Sequence, residues 1–179
     1  MITFANIPKN NAAVIAFGIK EIGPYYWVGN CKNGIDYYAG QTFQAPATGL
    51  LKRIRLFSSV VYGQSDATLS VYAFDQSTHT FKQKQSEATR RITKAFENQW
   101  IDFDLQNLQV NKDEHYAFKL QCKGGGMLAI AEGPWSMQDP YADGVEWTGS
   151  SQLAEGSFHK DFDLAFQGEI ESSLNAQFI

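Results

Sequence analysis

Apolar residues in this chain recur at alternate positions, and almost nowhere at the spacing of a helix. Residues 100–105 show the pattern cleanly: Ile101, Phe103 and Leu105 share one face, and Trp100, Asp102 and Asp104 share the other. Burying two unpaired carboxylates costs far more than exposing them, so the aliphatic face must be the core face. Trp100 is then expected to lean outward or cover a sheet edge. Residues 115–122 repeat the pattern with Tyr116, Phe118, Leu120 and Cys122 inward and His115 outward. In 50–61, Ile54, Leu56 and Val60 fall on one face, with Arg53 and Arg55 opposite. Further strands are predicted at 12–19, 25–28, 37–43, 69–74, 81–85 and 127–132, bounded by Gly, Asn, Asp and Pro turns. The last, 158–170, is expected to turn Phe162, Leu164 and Phe166 inward and Asp161 and Asp163 outward. The best helical window, 87–96, is weakened by Thr89, Ile92 and Thr93.

Short strands like these, each with one buried face, predict an all-β fold of two packed antiparallel sheets. Jelly-roll topology accounts best for strand number and length, with an up-and-down barrel as the alternative. The 179 residues suit a single domain, 1–179. Within it, 1–37 would supply N-terminal strands and a loop, 38–170 the core, and 171–179 a tail or final edge.

Aromatic residues make up 14% of the chain, most of them Phe and Tyr, which favours strands further. The net charge of −4 gives no electrostatic reason to expect a nucleic acid partner. The short basic runs at 52–55 and 90–91 read as solvated strand faces. No stretch of eighteen apolar residues is present, so no membrane insertion is expected, and no secretion signal is visible in the chain. Cys31 and Cys122 either pair or remain as buried thiols.

Catalytic constellations are scarce. Asp102 with Asp104, and Asp161 with Asp163, stand about 7 Å apart on a pleated face, inside the range that glycosidases use. Any alternating polar face produces that spacing, so neither pair is expected to be catalytic. No Gly-x-Ser-x-Gly elbow occurs, and His79, His115 and His159 lack metal-ligand spacing. The expectation is a protein that is not an enzyme and carries no cofactor.

The stretch 139–148, Asp-Pro-Tyr-Ala-Asp-Gly-Val-Glu-Trp-Thr, is different. It is read as an irregular connection between the last two strands, at a sandwich end where loops carry function. Sugar rings offer C–H faces to aromatic planes and hydroxyls to carboxylates and amides. Trp135, Tyr141, Asp143, Glu146 and Trp147 together meet that need, and Tyr25, Tyr26 and Trp27, with Asn30, form a second cluster. The alternative is that these rings only pack the loop onto the sandwich. Asp139, Asp143 and Asp161 are candidate oxygen ligands for a structural calcium ion.

Several landmarks in order resemble a recurrent bacterial β-sandwich module of the galactose-binding-like or carbohydrate-binding-module-like jelly-roll type. They are Gly40-Gln41-Thr42-Phe43 followed by Ala45-Pro46 and Gly49, then Ile54-Arg55-Leu56, Leu69-Ser70-Val71-Tyr72 and Trp100-Ile101-Asp102-Phe103. Leu108 to Val110 leads to His115-Tyr116-Ala117-Phe118, and Asp139 to Gly144 and Asp163-Leu164-Ala165-Phe166 complete the set. The resemblance covers roughly residues 38–169 and fixes no ligand. It implies a non-catalytic, lectin-like role on a glycan or polysaccharide, and an extracellular or cell-surface setting. If Asp139–Gly144 is a signature of the module itself, Trp135, Glu146 and Trp147 become the sharper candidates for ligand contact. A structural or protein-interaction sandwich without a small ligand is the main alternative, and a glycan-active enzyme the next. Oligomeric state is open.

Overall fold

A computed structural model describes residues 12–30 and 34–172. Cys31 and the tail residues 173–179 lie outside them. Twelve strands run in chain order: β1 (Ala13–Gly18), β2 (Tyr25–Asn30), β3 (Asp36–Gln44), β4 (Gly49–Tyr62), β5 (Ser65–Asp75) and β6 (Thr80–Ile92), then β7 (Gln99–Val110), β8 (His115–Lys123), β9 (Met127–Ala131), β10 (Glu146–Ser150), β11 (Ser157–His159) and β12 (Phe166–Ser172). A 3-10 turn at Lys94–Phe96 is the one helical piece among the described residues, and no helix there is long and apolar enough to cross a membrane. The weak helical window at 87–96 is therefore strand as far as Ile92, because β6 zips along β5 from Ser65↔Ile92 to Asp75↔Thr80.

All pairings are antiparallel, and the strand order is that of a jelly roll. One sheet runs β1-β12-β4-β7, the other β3-β8-β5-β6. Ranking these eight strands by position in the chain, the first sheet reads first, eighth, third, sixth, and the second reads second, seventh, fourth, fifth. That is the interleaving produced by two nested Greek keys. The two inner faces meet through aromatic rings. Phe118 of β8 packs on Phe166 of β12 at 5.5 Å, and Phe17 of β1 reaches Phe43 of β3 at 5.3 Å. Ile54, Leu56, Ile101, Phe103, Leu120 and Val71 fill the space around them with no exposure.

The outer face of the first sheet carries the polar residues that alternation placed there. Arg53 and Arg55 of β4 both bind Asp102 of β7, at 3.1 and 2.6 Å, and Arg53 also reaches Glu169 at 3.3 Å and Asp104 at 3.6 Å. Trp100 lies on this face, edge-on to Phe57 at 5.5 Å with the Arg55 guanidinium above it. Asp102 and Asp104 are thus ion-pair partners on a sheet face.

Four strands are additional to the eight. Ser58 of β4 pairs with Gln99 on one edge and Ile130 on the other, so β9 takes over from β12 along β4. β9 pairs with β2, and β2 with the start of β3, which joins the two sheets at that end. β10 pairs with the free edge of β3, and β11 with β10.

Two sequence expectations fail in this region. The stretch 139–148 is not wholly irregular, because Glu146 begins β10. The segment 158–170 is not one strand. Residues 160–163 form a turn closed by Phe162 N–H donating to the His159 carbonyl at 3.4 Å, and the chain rejoins the sheet at Leu164. The turn reverses the predicted facing of two residues, while Asp161 stays outward and Leu164 and Phe166 inward as expected. Phe162 is 37% exposed, and Asp163 is buried.

Candidate functional site

Strand β10 alternates like any other, and its two faces have different fates. Glu146 is the Cα partner of Gln41 on β3 and of His159 on β11, while Trp147 pairs with Gly40 and Phe158. Trp147 is 1% exposed and lies among Phe81 at 5.4 Å, the Lys119 ammonium at 4.2 Å and the backbones of Gly40, Gly149 and Gly156. Its indole N–H donates to the Glu155 carbonyl at 3.0 Å. This ring is a structural anchor and offers no face to a ligand. The Lys119 ammonium, 3.7 Å from the Phe81 centroid as well, is held below its ordinary pKa by burial.

On the opposite face, Glu146 and Thr148 look toward the connection that leaves β9 and toward the turn at 160–163. A cavity of about 220 Å³ lies there, lined by Tyr26, Glu132, Trp135, Glu146, Thr148, His159 and Phe162. Trp135 stands at its rim with 65% of its surface exposed, edge-on to Phe162 at 5.6 Å. Its indole N–H donates to Glu132 Oε2 at 2.7 Å, which fixes the ring's tilt. Thr148 Oγ1 and His159 Nε2 are 2.7 Å apart, a diagonal cross-strand pair.

The floor of the cavity is acidic. Glu146 is 2% exposed, and its Oε2 has no hydrogen-bond partner. Burial, reinforced by the nearby charges of Glu132 and Asp163, pushes its carboxyl up to about 9, so it is protonated at neutral pH. Behind it, Asp163 accepts from Gln41 Nε2 at 2.7 Å and from the Tyr141 backbone N–H at 3.0 Å. Burial nevertheless outweighs those bonds and raises it to about 7. Gln41 Oε1 in turn accepts the Leu164 N–H at 2.9 Å, so one buried amide ties β3 to the 160–164 segment twice over.

Of the sequence candidates, the structure brings together Tyr26, Trp135 and Glu146. Trp147 lies on the other side of β10. Tyr141 packs edge-on against Phe166 at 5.1 Å, its phenol raised by burial, and serves the core. Trp27 is half-buried against Tyr25 at 5.6 Å. Asp143 and Asp139 border a separate cleft of about 500 Å³ with His79 and His115, whereas Asp161 borders a third hollow beside Met137. The three calcium candidates are thus divided between two hollows. Among the described residues no group of three or more His, Cys, Asp or Glu is placed to hold a metal ion. Cys122 is a buried free thiol whose pKa burial pushes up to about 11.

Alternation and composition give no reason to place Glu132, Thr148, His159 and Phe162 at this cavity. Glu132 closes a predicted strand, and its spacing of three to Trp135 was the available signal. His159 and Phe162 sit where the strand prediction failed.

No family model matches the chain, and no curated protein matches it. Among solved structures, a mutant VP2 protein of infectious bursal disease virus from derived T=1 particles aligns with a TM-score of 0.32 and 13% identity, over 100% of this chain and 47% of that one. The structure of the Gx strain of the same virus aligns at 0.30 and 11%, over 95% of this chain and 44% of that one. The chain spans under half the length of these proteins.

Proposed function

We propose that this chain is a non-catalytic, lectin-like module that holds one sugar unit of a glycan or polysaccharide at the Trp135 cavity. The observation that carries the reading is an exposed indole, oriented by its bond to Glu132, at the rim of a small hollow whose walls mix acceptors and donors. A hollow of about 220 Å³ has room for a single pyranose ring. The indole offers the flat π face that sugar C–H bonds stack on. The Glu132 carboxylate accepts from hydroxyls, the protonated Glu146 carboxyl donates, and the Thr148–His159 pair does either.

Glycan-array or affinity-gel screening of the wild type beside Trp135→Ala and Phe162→Ala tests this. Selective retention that both variants lose supports it, and retention equal to that of the variants sinks it.

One observation favours a second reading. Trp135, Met137 and Phe162 are all exposed around one hollow, an apolar patch of the kind that docks another protein. Light scattering distinguishes the two: an oligomer dispersed by Trp135→Ala favours docking, and a monomer over the micromolar range counts against self-association.

A further inference from the structure

Three acidic side chains, Glu132, Glu146 and Asp163, converge on one small region, and each is at least nine-tenths buried. They come from three separate segments: the exit of β9, the start of β10 and the entry to β12. Among the described residues none of them forms an ion pair with a lysine, arginine or histidine. Gln41 is committed to Asp163 and Leu164, Tyr141 gives Asp163 a backbone N–H, and Asp139 adds negative charge nearby. The His159 ring is engaged with the Thr148 hydroxyl. The chain therefore brings three acids together in a desolvated place and pairs none of them with a lysine or arginine. Proteins pair buried charges or suppress them. Here Glu146 is suppressed by holding its proton.

A second observation points outward from the cluster. Glu146 Oε2 is buried, forms no hydrogen bond and belongs to a residue of the cavity wall. An oxygen left unsatisfied beside a hollow is satisfied by whatever fills the hollow. The rest of the lining says what kind of group that is. The rings of Trp135, Phe162 and Tyr26 surround the opening, and π faces attract cations. Aromatic walls over an acidic floor form the arrangement in which an ammonium group replaces the missing countercharge.

Building on the glycan reading above, we infer that the recognised sugar carries a free amine: the cavity is a site for an unacetylated amino sugar, with its ammonium directed at Glu132 and Glu146 and its ring face against Trp135. A neutral hexose fills the same hollow but leaves the acids uncompensated. An N-acetylated sugar brings a bulky uncharged amide to the place where the positive charge is needed. An anionic sugar is repelled by Glu132.

Calorimetric titration at pH 6 and low salt tests the assignment, with a β-1,4-linked glucosamine tetramer, its fully N-acetylated counterpart and Nα-acetyl-lysine amide as probes. The expected result is binding of the glucosamine tetramer at least tenfold tighter than the acetylated one, weakening as salt is raised. Glu132→Gln should abolish that preference. The substitution is isosteric and its amide oxygen can still accept the Trp135 N–H, so an unchanged melting temperature shows that the effect is one of charge. Equal binding of the two tetramers overturns the amine assignment and leaves the glycan reading standing. Binding of the lysine compound without either tetramer overturns both in favour of a basic peptide. No binding of any probe overturns the amine assignment, and the glycan array then decides the broader reading by itself.

Discussion

Gln41 and Glu146 face each other across the ladder of β3 and β10, yet the Gln41 amide serves Asp163 and Leu164 and leaves Glu146 Oε2 without a partner. Glu146 is therefore kept as a neutral acid in a place where an ionised one would be strongly disfavoured.

The first consequence is a pH dependence with a definite sign. In the folded chain the Glu146 carboxyl is raised from 4.5 to about 9, so the folded state holds a proton that the unfolded state has released. Stability falls as pH rises through that window. Glu146→Gln removes the penalty. At pH 4 the variant and wild type should melt together. By pH 7 the variant should be more stable by on the order of 2–3 kcal/mol, or about 5–10 °C. Thermal melts across pH 4–9 check this, and parallel curves for the two proteins would refute it.

The Gln41 amide is expected to be costly to remove. Gln41→Ala orphans the Leu164 N–H and takes one of the two bonds from Asp163. A loss of about 2–4 kcal/mol is expected from the unsatisfied groups and the void. Urea denaturation measures it. The loss should be smaller below pH 5, where Asp163, raised to about 7, is protonated and less dependent on donors.

The two tryptophans nearest the site should part company. Trp147→Ala empties an enclosed position and should cost about 3–5 kcal/mol. Trp135→Ala removes an exposed ring and should shift stability by less than about 1 kcal/mol. Lost binding in a Trp147 variant is therefore evidence about folding, and only the Trp135 variant reports on the surface. Denaturation midpoints of both variants, measured alongside binding, separate the two cases.

Gly156 sets a further test. Its φ is +64°, and a Cβ there would lie 2.3 Å from the Thr148 carbonyl oxygen and 2.5 Å from the Trp147 ring. Gly156→Ala should destabilise by at least about 2 kcal/mol through strain and displacement of the indole. A red-shifted tryptophan emission would show that the ring has moved into a wetter place.

On the outer face of the first sheet, Asp102 holds both Arg53 and Arg55. All three are about one-third exposed, so Asp102→Ala should cost only about 1 kcal/mol, and less at high salt. Melts at 50 mM and 1 M sodium chloride give the comparison.

Much of the roll is readable from alternation, because its strands have one wet face and one dry one. Ile101, Phe103 and Leu105 are buried where the pattern put them, and Asp102 and Asp104 meet Arg53 on the other side. The same logic misleads at Asp161–Leu164, where the pattern continues through a turn and the polar residue goes in because Gln41, distant in the chain, is there to receive it. It also misleads at Trp147. An aromatic among acids and glycines looks like a ligand platform, but three glycine backbones form the slot that encloses it. Trp135, Tyr26 and Glu146 stand out from their chemistry alone, and the structure brings them to one cavity. Glu132, His159 and Phe162 do not stand out, since they reach the cavity through pairings that local spacing does not encode.

Every residue lining the acidic cavity comes from β2, β10, β11 or the segments flanking them; none comes from the eight strands that make up the roll. The framework and the hollow are thereby assigned to different parts of the chain, with Gln41 the strut between them. Such a division makes the corner that carries the hollow a separable part: its exposed rim can be rewritten while the core of the roll stays as it is, whereas Glu146 and Trp147, buried in β10, cannot change without altering stability.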